Sequence, residues 1–109
     1  MEATIYNDIW IRWIPFRWSK DDYWRTDIRQ NVLNDASLNT ALFVLEDLTC
    51  VFIQMSEIRK AIVGVHIRDN GSIPFNIDPH SKVIGNVKIK MEVHKPRNKN
   101  RVERLFDKV

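Results

Sequence analysis

Residues 9–18 read IWIRWIPFRW, which puts three of the chain's four tryptophans within ten positions. Extended backbone sends successive side chains to opposite faces. Trp10, Arg12, Ile14, Phe16 and Trp18 then share one face, and Ile9, Ile11, Trp13, Pro15 and Arg17 the other. Both faces are largely apolar, the pattern of an interior strand covered on two sides. Pro15 has no N–H to give to a ladder. The segment therefore predicts one long strand over residues 4–14 that leaves its sheet near Pro15, with Phe16 and Trp18 closing over the edge of the core. Arg17 and Trp18, beyond the proline, are the part most expected outside, where a cation beside an aromatic ring can hold a nucleobase.

So apolar a strand needs a domain around it. At 109 residues the chain has the length of one domain whose core can stand alone. Residues 1–109 are read as a single α+β domain, a small mostly antiparallel sheet with two or three short helices packed on it. Ser19 followed by Asp22 resembles a capping box, and Trp24, Ile28 and Val32 recur every four residues, which predicts a helix broken by NDASLN at 34–39. In ALFVLEDLTCVFIQM, Leu38, Ala41, Leu42 and Leu45 also fit a helical period. The β-forming Phe43, Val44, Val51, Phe52 and Ile53, with Glu46 and Asp47 between them, instead favour two strands joined by a short connection. Ser56 is expected to cap a short helix over EIRKAIV, with Ile58, Ala61 and Ile62 inward and Gly64 marking its end.

From Gly71 onward the chain reads as strand again: SIPFNI, a turn at DPHS, then a hairpin about Gly85 and Asn86. Beyond it the alternation is clean. Val87, Ile89, Met91 and Val93 are expected inward on one continuous strand, and Lys88, Lys90, Glu92 and His94 on its other face. A basic segment begins at about residue 94 with HKPRNKN, and a short helix should close the chain. Asn100 and Glu103 there have capping-box spacing, and Val102, Leu105, Phe106 and Val109 form a stripe that could dock on its own domain or pair two copies into a homodimer.

Charge separates the two halves. Residues 1–54 hold five Lys/Arg and eight Asp/Glu, a net −3, whereas residues 55–109 hold twelve and six, a net +6. Lys88, Lys90 and His94 form a row, and Lys95, Arg97, Lys99 and Arg101 follow it. This asymmetry points to an anionic partner. The leading expectation is a non-catalytic protein that binds nucleic acid, DNA or RNA, by its phosphates through these residues, with Arg17 and Trp18 as a stacking extension. The alternative is a protein-binding module or inhibitor, of the kind small AT-rich phage or viral genomes encode, an association suggested by the Ile, Asn and Lys usage. A third reading is a metal-dependent nuclease that uses Asp78 and Glu92. His94 stands where the acid-x-Lys pattern of such sites has its lysine.

Other chemistry lacks its motif. There is no HExxH, GxGxxG, GxxxxGK or GxSxG. The single cysteine, Cys50, sits in the apolar run CVFI, where a small buried hydrophobe is the expectation. No catalytic residue, metal ligand or cofactor is assigned on this reading. No apolar run approaches the roughly 18 residues of a membrane span. Residues 1–8 show no basic stretch leading into an apolar one, so the expectation is a cytoplasmic protein without a signal peptide or membrane contact.

Overall fold

The computed structural model describes residues 3–14 and 23–95. The long strand expected over residues 4–14 is instead a hairpin. β1 (Ala3–Tyr6) and β2 (Ile9–Trp13) pair antiparallel about a turn at Asn7 and Asp8. Asn7 takes φ 56°, a left-handed conformation that asparagine tolerates better than most side chains. β2 is an interior strand, as its two apolar faces require. Ile9, Trp10 and Ile11 are all buried, with β1 on one side and β4 (Thr40–Val44) on the other.

Two sheets result. The first has the order β1-β2-β4-β5-β9, where β5 is Cys50–Gln54 and β9 is Glu92–His94; the second is β3-β6-β7-β8, from Trp24–Arg29, Ser72–Asp78, Val83–Ile84 and Val87–Lys88. All pairings are antiparallel except β2 with β4. Parallel neighbours need a long crossover, and here the intervening chain passes through β3 of the second sheet before it returns. The mixed α/β class of the sequence reading holds, with strand predominating and two sheets instead of one.

The helix expected over Trp24, Ile28 and Val32 is, from Trp24 to Arg29, strand β3. A repeat of four is even, so it also keeps side chains on one face of a strand, and β6 pairs with the segment residue for residue from Trp24 to Arg29, taking up the backbone groups on that side. Only a single turn, α1 (Gln30–Leu33), is helical. The β4–β5 hairpin forms as expected. The helix after it, α2 (Met55–Ala61), starts one residue ahead of Ser56, with Gln54 at its N-cap and no side-chain cap. Met55, Ile58 and Ala61 face inward, and Gly64 at φ +83° follows the helix end.

One core fills the space between the sheets. Phe43 of β4 is its centre, with ring edges against Trp10 at 5.8 Å and Phe75 of β6 at 5.9 Å. Such edge-to-face pairs add about 0.5–1.5 kcal/mol each beyond the area they bury. Trp24, Ile28, Ile73, Ile77, Ile84, Ile89 and Met91 complete it from the second sheet and the chain leaving it. A second apolar cluster, Ile9, Ile11, Leu42, Val44, Cys50 and Phe52, occupies the outer face of the first sheet. Among the described residues no helix is long and apolar enough to cross a membrane.

Candidate nucleic-acid interface

The expected continuous strand from Val87 to Val93 breaks in the middle. β8 ends at Lys88 in the second sheet, and β9 begins at Glu92 in the first. Between them the chain is held by two backbone donors. The Ile89 N–H bonds the Lys82 carbonyl at 3.1 Å, and the Lys90 N–H bonds Glu57 Oε1 at 3.0 Å. Ile89 and Met91 are buried as the alternation predicts, whereas Val87 is exposed at the hairpin. Lys88, Lys90 and His94 therefore do not form a row on one strand. Lys88 lies on the edge of one sheet, Lys90 on the crossing, and His94 on the edge of the other.

The break nonetheless gathers cations. Val83 pairs with Lys88, so Lys82, one step further, meets Ile89. Lys82, Lys88 and Lys90 thus cluster about the buried Ile89, all three exposed, and Lys95 is exposed just past β9. None of the four makes an ion pair within 4 Å among the described residues. Other cations are engaged: Arg12 and Arg68 on Asp27, Lys60 on Glu57 at 3.1 Å, and Arg59 on the Leu33 carbonyl at 2.6 Å through Nη2. Lys82 escaped the sequence reading, although one further step of the Gly85–Asn86 hairpin register would have found it.

Beside this cluster is an open cleft of about 750 Å³, bounded by the end of β5, by α2 and by residues 90–94. β9 pairs with β5 only as far as Phe52, so Ile53 and Gln54 have no strand partner on that side among the described residues. Lys60, Lys90 and His94 line the cleft together with Glu57 and Glu92. Its charge is therefore mixed. Glu57 has its carboxyl held below the usual glutamate range, first by the backbone N–H of Lys90 and then by Lys60. His94 Nε2 lies 2.7 Å from Glu92 Oε1, and its ring meets Phe52 edge-on at 5.6 Å.

The remaining site candidates divide in two. Arg17, Trp18, Arg97, Lys99 and Arg101 lie outside the described residues, as does the expected C-terminal helix with Val102, Leu105, Phe106 and Val109. Asp78 is described, and it caps its own turn: Oδ1 accepts the N–H of His80 at 3.0 Å and of Ser81 at 3.1 Å. Among the described residues no three His, Cys, Asp or Glu gather so as to hold a metal ion. Cys50 is buried, and burial pushes its thiol up to about 11. Comparison with protein-family models, with curated proteins and with solved structures gave no match for this chain.

Proposed function

We propose that the protein binds a nucleic acid by its phosphate backbone, without chemistry of its own. Lys82, Lys88, Lys90 and Lys95 are the described contacts, and Arg97, Lys99 and Arg101 continue them in sequence. The observation that carries this reading is the set of exposed lysines about the crossing between the sheets that make no ion pair with a carboxylate among the described residues, on a molecule whose other cations include several already engaged. An exposed ammonium that is not already in an ion pair has none to break on meeting phosphate, and each contact releases condensed counterions. The carboxylates of Glu57 and Glu92 oppose phosphate entry into the cleft itself, so the strand tracks the lysine cluster and not the cleft floor.

Fluorescence anisotropy with labelled single- and double-stranded oligonucleotides, read at two salt concentrations, tests this. Binding that weakens steeply with salt is the expected result. A chain that binds neither oligonucleotide at low salt loses this reading. A protein partner would then be favoured by the exposed Val63, Val65 and Ile67 in the connection after α2, an apolar run with little cover.

A further inference from the structure

The outer face of the first sheet is buried, yet among the described residues no helix or strand lies over it. Ile9 and Ile11 of β2, Leu42 and Val44 of β4, and Cys50 and Phe52 of β5 all point to that side. Leu42 and Cys50 are 0% exposed. Neighbouring strands shield a side chain laterally and not from above, so full burial in the middle of a sheet face requires chain packed on top of it. The described elements do not supply it. The buried apolar side chains of α1, α2 and the second sheet all belong to the core between the sheets, a cluster separate from the outer one. The structure holds a single chain, so the cover belongs to that chain.

Three stretches lie outside the described residues: 1–2, 15–22 and 96–109. The first is two residues long. The second leaves Ile14 and returns at Trp24, and both of those side chains sit in the core on the other side of the sheet. Four of its eight residues are charged. Its midpoint reaches about 14 Å from Ile14, short of Ile9, which lies about 17 Å back along β2. Residues 96–109 fit better. They are tied to the described residues at one end only, at Lys95, one step past His94, whose strand partner is Cys50. From there β4 is two strand spacings away, about 10 Å, and the seven residues to Val102 span up to about 23 Å. Val102, Leu105, Phe106 and Val109 form an apolar stripe at helical spacing. Charge agrees as well. Residues 96–109 hold five Lys/Arg and two Asp/Glu, a net +3, and they start beside the acidic β4–β5 connection, where Asp47 lines one hollow with Lys95.

We propose that residues 96–109 fold back over the outer face of the first sheet of their own chain, with the stripe Val102, Leu105, Phe106 and Val109 seated on the apolar cluster about Leu42 and Cys50. The stripe then completes the fold and is not a surface that pairs two copies. This inference stands apart from the nucleic-acid reading. Cys50 lies under the cover and reports on it.

The rate at which Cys50 of the full chain reacts with a disulfide reagent at pH 8 tests the proposal. Leu105→Asp with Phe106→Asp should raise that rate at least about tenfold in protein that still unfolds cooperatively, because the thiol loses its cover while the core between the sheets is untouched. Phe16→Asp with Trp18→Asp should leave it unchanged. A benzophenone side chain in place of Phe106 decides the matter if the acidic variant fails to fold. On irradiation it should link to peptides carrying residues 9–11, 42–44 or 50–52, at the mass of one chain. A folded Leu105→Asp, Phe106→Asp variant whose Cys50 stays as slow as wild type overturns the proposal, as does a rise confined to the Phe16→Asp, Trp18→Asp variant, which would make residues 15–22 the cover. Crosslinks to a second chain, or to the second sheet, overturn it too.

Discussion

Arg12 of β2 and Asp27 of β3 tie the two sheets together: the guanidinium Nη2 lies 3.1 Å from Oδ1, with the side chains only 18% and 28% exposed. Arg68, from the connection after α2, reaches the other oxygen, Oδ2, at 3.6 Å. Removing one partner of such a pair leaves the other charge partly desolvated, which is where most of the cost arises. Asp27→Asn should therefore cost about 1–3 kcal/mol. Replacing Arg12 and Asp27 together should cost less than the sum of the two single changes. A double-mutant cycle by urea unfolding measures this, and additive single effects would mean that the pair contributes no coupling.

The three rings at the centre of the core make a second prediction. Phe43 touches Trp10 within its own sheet and Phe75 across the interface, so Phe43→Ala should open a cavity that neither sheet can close. Loss of about 3–5 kcal/mol is expected, and a similar loss for Trp10→Ala and Trp24→Ala, whose side chains are also buried. Urea melts that match wild type for Trp10→Ala or Trp24→Ala would remove these residues from the core.

That both tryptophans are core residues was legible in the sequence, although the element carrying Trp24 was not. A four-residue repeat fits a helix face and a strand face alike, and what decides is the partner strand β6, many residues away. The hairpins at β4–β5 and β7–β8 were readable because their turns are local, whereas the β1–β2 turn has no glycine and depends on Asn7 adopting a positive φ. The crossing at Ile89 was hidden for a different reason. Val87, Ile89, Met91 and Val93 alternate across the break without interruption, and alternation says which side is apolar, not which sheet a strand joins. The lysine cluster inherits that limit: Lys88 and Lys90 were visible, and Lys82 required the hairpin register.

Glu57 holds the crossing by accepting the Lys90 N–H at 3.0 Å, and this bond with Lys60 lowers its carboxyl below the usual glutamate value. A carboxyl depressed in the folded state contributes stability that is present above its unfolded pKa and is lost as pH falls through its folded one. Glu57→Gln should therefore melt below wild type at neutral pH, and the gap should close on acidification through the range below pH 4.5, the ordinary value. Faster amide exchange at Lys90 should accompany it. A gap that is the same at every pH would show that the carboxylate charge is not what holds the crossing.

Burial raises the Cys50 thiol to about 11 from 9.0. Two units mean about a hundredfold less thiolate at any pH well below both values, and the thiolate is the reacting species. In the folded protein Cys50 should react with a disulfide reagent at pH 8 at least about a hundredfold more slowly than after denaturation. Comparable rates in the two states would place the thiol in contact with solvent and contradict its burial between Val44 and Phe52 on the outer face of the first sheet.

The lysine cluster makes the final prediction. Each phosphate contact contributes about 0.9 to the magnitude of the slope of log affinity against log salt on duplex DNA, and about 0.7 on a single strand. Lys88 and Lys90 flank the buried Ile89 and have no carboxylate partner within 4 Å among the described residues. Replacing both with Gln should lower the slope by about 1.4–1.8 and leave the melting temperature unchanged, since neither side chain packs in the core. Lys82→Gln, seven residues earlier than Ile89 but adjacent to it through the hairpin, should remove a further increment of about 0.7–0.9. Lys60→Gln is the internal control. Its ammonium already lies 3.1 Å from Glu57, so the slope should change little. Equal effects of Lys60→Gln and Lys82→Gln would locate the bound strand in the cleft and not on the cluster about Ile89.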